Sequence, residues 1–245
     1  MKIAVKVWDK YVADLRKVND KASQLVSAYY DAHLAELSTP AGVNALIAYC
    51  YAVATKYGEA ASELTAQMYD ATAEAEKVIV ESAIPAATAT YDDVARTVVG
   101  TMNVTQSPEA IGASIGRLVK MAGVDTTMQN ALRDGAEWAW IPRGYTCAFC
   151  LMLASQGWQY ASKKAIKGGH AEHIHANCDC TYAIRFDRSS SVAGYNPDEY
   201  RQMYDNADGR TGRQKLNSMR RELYEQNKEV INAQKRAAYA ERENE

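Results

Sequence analysis

Two short knuckles, Cys147-Ala-Phe-Cys150 and His175-Ala-Asn-Cys178-Asp-Cys180, restrict the fold of this chain more than any other feature. Four of its five cysteines and three of its four histidines lie between residues 147 and 180. Two thiols in the Cys-x-x-Cys spacing can reach one ion from a single tight turn, and His175-x-x-Cys178 offers the same bite from the other side. The 24 residues between Cys150 and His175 make a loop whose closure entropy a bound metal would offset. The spacing therefore predicts one Zn2+, with Cys147, Cys150, His175, Cys178 and Cys180 as candidate ligands. Cys178 and Cys180 are two apart, so on a strand both face the same way. Five candidates exceed the four positions of a tetrahedron, so one of them stands beside the ion rather than on it. His170 and His173 are expected outside the site, on the surface of the loop.

Other readings of the cluster fit less well. No secretory signal precedes it, which argues against disulfides. No βαβ pattern surrounds the Cys-x-x-Cys, as a thioredoxin-like motif would need. His170-Ala-Glu172 follows the cysteine pair, where a zinc deaminase has its His-x-Glu first. A cysteine protease remains the alternative, with Cys147 or Cys150 as nucleophile and His170, His173 or His175 as base. No third, orienting residue stands at a recognisable place, and cysteines at both ends favour a metal.

The run from Trp140 to Trp158, with its Cys147-Ala-Phe-Cys150-Leu-Met-Leu-Ala-Ser core, and the following His175-Ala-Asn-Cys178-Asp-Cys180 resemble the MuF-type minor head proteins of tailed bacteriophages and prophages. The Gram-positive branch is the nearest in pattern, and Val192-Ala-Gly-Tyr-Asn-Pro also looks like it. In that family a Cys-x-x-Cys is followed by His-x-x-Cys-x-Cys, and both parts are intact here. The resemblance covers about residues 138–186 and no motif in the first ~130 residues. It implies a few-copy head protein that meets the portal, capsid or scaffold during assembly or DNA delivery, located in the virion after assembly in the host cytoplasm. It implies no chemistry; a capsid-maturation protease is the enzymatic alternative.

The rest of the chain reads as helix. Apolar residues make up 47%, too many for wholesale disorder. Trp8, Tyr11, Leu15, Val18, Ala22, Leu25 and Tyr29 recur at spacings of three and four, which predicts a helix over 6–37. Thr39-Pro40 is a cap and a first turn, and opens a second helix over 40–83. The two stripes predict a long antiparallel hairpin. Cys50 falls on the second stripe and is expected to be a small core residue, outside the metal site. Ile84-Pro85 ends that helix. A short helix is expected over 91–99 and another from Pro108 to Ala122, closed by Gly123, with Asp125 capping a further one through Glu137. The Gly112-Ala-Ser-Ile-Gly116 motif lies in a stretch too polar for lipid and predicts close helix packing.

From Trp138 the period changes. Residues 138–142, 157–160 and 180–186 read as short strands and Phe149–Ser155 as a helix. A sheet this small needs a staple. Residues 187–196 read as a Ser/Gly linker, Asn196-Pro197-Asp198-Glu199 as a helix start, and residues 213–242 as a long, polar last helix. The fold class is thus mainly α with a small α+β zinc-stapled module, a long N-terminal antiparallel hairpin and a long C-terminal helix. Its expected parts are a helical domain at 1–137, a MuF-like metal module at 138–190 and a helical tail at 191–245.

Net charge is −2, so nucleic-acid binding is not the global design. The halves differ, however. Residues 1–140 carry a net −5, while residues 210–245 carry a net +3, which would suit a contact between the last helix and packaged DNA. Lys163, Lys164 and Lys167 form a second basic stretch, with only Trp158 and Tyr160 close enough to stack on bases. No apolar run reaches membrane-spanning length.

Overall fold

A computed structural model describes residues 5–143, 146–162 and 180–243. The described residues are mainly helical with one small sheet. Helix α1 spans Val5–Ala32, buries Trp8, Tyr11, Asn19, Ala22, Val26 and Tyr30, and gives way to a 3-10 turn over Leu34–Ser38. Helix α2 spans Pro40–Glu76, with Pro40 in its first turn. The Thr39 side chain accepts from the Gly42 N–H at 3.0 Å. The α2 start folds back so tightly that a Cβ on Gly42 would lie 2.0 Å from the Glu36 carbonyl oxygen. Tyr29 stacks on Tyr49 at 4.0 Å between ring centres, and the Tyr11 hydroxyl bonds the Thr65 hydroxyl at 3.2 Å. Partners that fall in number as their counterparts rise mean that α1 and α2 run in opposite directions.

Helix α2 ends earlier than its alanine-rich sequence predicts. Lys77 adopts a left-handed conformation at φ 58°, and residues 78–90 are non-helical. Other side chains hold this strap. Asn130 accepts from the Ile84 N–H and donates to the Ile84 carbonyl, both at 2.9 Å. Thr126 accepts from the Ala86 N–H at 2.9 Å, and Arg133 donates to the Glu81 and Ser82 carbonyls. Backbone groups satisfied from outside have no need of a helix.

Helix α3 spans Tyr91–Met102 and opens on a capping box between Thr90 and Asp93. Helix α4 runs without a break over Pro108–Asp134, where the sequence predicts a stop at Gly123. Gly123 is a contact point, not a terminator: a Cβ there would lie 2.9 Å from the Thr65 hydroxyl of α2. The true end is Gly135, at φ 68°. Toward α1, a Cβ on Gly112 would lie 2.3 Å from the Ser27 hydroxyl and 2.5 Å from the Ser23 carbonyl, and one on Gly116 would lie 2.4 Å from the Ser23 hydroxyl. Helix α4 therefore nests against both α1 and α2. One core forms where Ala22, Val26, Tyr30, Leu46, Cys50 and Val53 meet Val94, Val98, Ile111, Ile115 and Val119.

The second core joins the far ends of these helices to the sheet. Strand β1 (Glu137–Ile141) is buried along its whole length and lies between β2 (Gln159–Tyr160) and β3 (Thr181–Arg185), antiparallel to both. Glu137 stands opposite Arg185, and their side chains pair at 2.7 Å. Tyr182 packs its ring on Trp138 and Trp140. These rings meet Trp8, Tyr11, Met68, Tyr69 and Met128 from the helices.

Residues 187–196 are not a solvent linker. Arg185 donates to the Arg188 and Ser190 carbonyls, Val192 and Tyr195 are buried on the sheet cluster, and the Tyr195 hydroxyl donates to the Ala154 carbonyl at 2.8 Å. The Ser/Gly composition conceals two apolar anchors. Helix α5 (Ala148–Ala154) lies between β1 and β2 in the chain. Helix α6 (Pro197–Asn206) starts at Asn196, whose side chain accepts from the Glu199 N–H. Helix α7 spans Gly212–Glu243. Its Met219 is buried with Ala207 and with Ala148 and Leu151 of α5, while Tyr224 and Val230 are exposed.

Candidate metal centre

The site starts where β1 ends. Pro142 cannot donate to a ladder and stops the strand. Arg143 then pairs with Asp9 of α1 at 3.3 Å, and the Thr146 hydroxyl donates to the Arg143 carbonyl at 3.1 Å. This turn delivers Cys147 to the N-cap of α5, in extended backbone. The Cys150 N–H points at the Cys147 sulfur at 3.5 Å, and the two sulfurs lie 3.6 Å apart. Cys150 is fully buried and Cys147 half-buried.

That separation fits a shared ion. Two sulfurs each ~2.3 Å from a tetrahedral zinc would lie about 3.8 Å apart. Helix geometry accounts for it, because the cap residue and the third helical residue face each other across one turn.

Cys180 precedes β3 and is half-buried. It packs against the cluster that contains Cys150 and that Cys147 also borders. Tyr200 of α6 touches the same cluster. Burial first, then the Glu199 charge, holds its hydroxyl above the usual range, and the Cys180 thiol adds in the same direction. His175 and Cys178, with His170 and His173, lie outside the described residues. Among the described residues no three His, Cys, Asp or Glu side chains form a group that could hold a metal. Cys50 is buried in the helical core, with its thiol pushed up to about 12 by that burial.

Two features beside the site carry little sequence signal. Glu76, at the end of α2, is buried and accepts from the Phe186 and Asp187 N–H groups at 2.8 and 2.7 Å, tying the bundle to the turn after β3. A cavity of about 310 Å³ opens between α1, α4 and the start of β3, with Tyr11, Asn19, Lys120, Arg143 and Cys180 in its wall. Nothing in the spacing of these residues marks them as neighbours.

Fold and site together define a mainly helical protein with a dithiol knuckle beside a small sheet. The chain belongs to the VG15 protein family, which matches residues 2–207 and so takes in both Cys/His knuckles. No curated protein and no solved structure matches it. No described helix is long and apolar enough to cross a membrane.

Proposed function

We propose that this protein is a MuF-like minor structural protein of a tailed-phage head, assembled against the portal, capsid or scaffold, with a structural zinc in residues 138–190. The observation that carries the zinc is the 3.6 Å separation of the Cys147 and Cys150 sulfurs at the start of α5. Two of His175, Cys178 and Cys180 supply the remaining ligands, and the third stands beside the ion. A zinc held by four protein ligands leaves no position for substrate, so its part is to fold the module. Its bound chemistry is that of a cross-link between the turn after β1 and the segment entering β3. The long α1–α2–α4 bundle supplies rigid surface for protein partners. The family relationship supports a phage origin, and the intact knuckles support the head-protein branch within it.

The test is purification of the full chain, zinc determination by elemental analysis, and co-assembly with portal and major capsid protein. One zinc per chain, loss of zinc in Cys147→Ser and incorporation of the wild type into heads are expected. A Cys147→Ser protein that keeps its metal and fold but loses a measurable peptidase activity would establish the cysteine-protease alternative instead.

A further inference from the structure

The first turns of α7 carry charge that the molecule itself does not use. Six guanidinium groups elsewhere are paired with carboxylates, Arg16 with Asp20, Arg96 with Asp93, Arg133 with Asp134, Arg143 with Asp9, and Arg185 and Arg188 with Glu137, and Arg201 donates to the Ser155 carbonyl. Residues 210–221 contain Arg210, Arg213, Lys215, Arg220 and Arg221 and no acidic residue. Lys215 is committed to the Tyr204 and Asp205 carbonyls at the end of α6. The four arginines are exposed, and among the described residues none of them forms an ion pair. Arg220 donates to Asn217 at 3.0 Å and keeps the rest of its fork open.

Three of these arginines, Arg210, Arg220 and Arg221, border one open groove whose wall also includes Asp208, Gln214 and Asn217, and Arg213 lies next to it in the chain. Its floor is held in place. The Gln214 side chain accepts from the Arg210 and Thr211 N–H groups at 2.8 and 3.1 Å, and the Gln214 N–H donates back to the Thr211 hydroxyl. The opposite face of the helix is anchored through Met219 onto Ala148 and Leu151 of α5, the helix that begins at Cys147. The arginines therefore stand on a platform fixed to the metal knuckle.

The chemistry of the lining decides the partner. A protein interface needs apolar or aromatic anchors at its centre. This groove offers none. Arginine forks with Asn and Gln side chains are the groups that hold phosphate oxygens. We propose that residues 208–221 form a sequence-independent binding site for the phosphate backbone of double-stranded DNA. The choice of DNA as the polyanion rests on the head-protein reading; the groove itself does not.

The test uses the full chain and a roughly 30-base-pair duplex of arbitrary sequence, by fluorescence anisotropy between about 50 and 200 mM salt. The wild type should bind with an affinity that falls steeply with salt. The variant Arg210→Gln/Arg213→Gln/Arg220→Gln/Arg221→Gln should bind about tenfold or more weakly. Its salt slope should be shallower by up to about 0.9 for each phosphate that the variant no longer neutralises. A control of equal charge on the bundle, Lys10→Gln/Arg16→Gln/Lys17→Gln/Arg96→Gln, should bind like the wild type. If the quadruple arginine variant loses helicity, Arg220→Gln/Arg221→Gln carries the same test with a smaller drop. Wild-type protein without salt-steep binding overturns the proposal. So does an arginine variant that binds like the wild type, or a bundle control that falls equally. Tighter binding of polyglutamate than of the duplex overturns it in favour of an acidic protein. Zinc is measured in the same samples. Zinc without DNA binding removes the groove and leaves the metal; DNA binding by a zinc-free protein does the reverse.

Discussion

Helices α1, α2 and α4 touch through glycine, serine and alanine, whereas the sheet beside them fills its core with Trp138, Trp140 and Tyr182. Small residues at the interface let long helices approach along many turns, and the burial is spread over the bundle. The sheet has five residues in β1, five in β3 and two in β2. Three strands that short bury too little by themselves, so large rings and a neighbouring surface must supply the rest. The bundle has a core of its own, while the sheet shares its core with the bundle at one side and, in our proposal, depends on a metal at the other.

The largest effect is expected where the bundle is tightest. Gly112→Val places atoms against the Ser23 carbonyl, which cannot retreat without moving α1, and against the Ser27 hydroxyl, which can swing away only by giving up its bond to the Pro108 carbonyl. A loss of about 3 kcal/mol is expected in urea unfolding, with both regions destabilised together. A loss below about 1 kcal/mol would show that α1 and α4 are not in register at this glycine.

Glu76→Ala attacks the join. It removes the buried acceptor of two half-buried N–H groups after β3 and should cost about 2 kcal/mol. Hydrogen exchange at Phe186 and Asp187 should quicken while that of α1 stays unchanged. Equal quickening in both places would mean that the two regions unfold as one unit.

A smaller effect, with the opposite sign, is expected at Asp125. Burial pushes its carboxyl up to about 6 from 3.8. The folded protein therefore holds this proton more tightly than the unfolded chain. Its contribution favours folding below pH 3.8 and is lost as pH rises to about 6. Asp125→Asn should thus stabilise the protein at pH 7 by about 1 kcal/mol, after allowance for partial solvent access, and should make little difference at about pH 4. Equal effects at both pH values would refute burial as the cause.

The smallest expected effect lies in α7. Leu223→Ala should change global stability by less than about 1 kcal/mol, because the helix is anchored mainly at Met219 and its later Tyr224 and Val230 are exposed. Amides beyond Leu223 should exchange faster than those of α2. Equal protection would mean that a further surface covers them.

Helix starts are legible in the sequence because capping chemistry is local: Thr39-Pro40, Ser107-Pro108 and Asn196-Pro197 each open a helix. Ends are less so. Lys77 ends α2 without glycine, since the following strap finds its hydrogen bonds on Asn130, Thr126 and Arg133 from across the fold. Gly123 reads as a terminator because a sequence does not show which glycine faces a neighbouring helix. Val192 and Tyr195 are hidden in a Ser/Gly run for the same reason. At the site, the Cys147–Cys150 turn is legible from spacing alone. Glu76 is not, being one acid among many on a helix whose partner lies over a hundred residues away. The arginines of α7 are visible as charge, but their shared groove depends on the turn that Gln214 pins.

In our proposal, metal holds the sheet module and not the bundle. Hydrogen exchange of the full chain before and after zinc chelation tests this most directly. One zinc per chain is predicted, and chelation should expose amides in β1, α5 and β3 while those of α1, α2 and α4 remain protected. A chain purified without metal that shows equal protection in both regions, or chelation that loosens the bundle as much as the sheet, would contradict it.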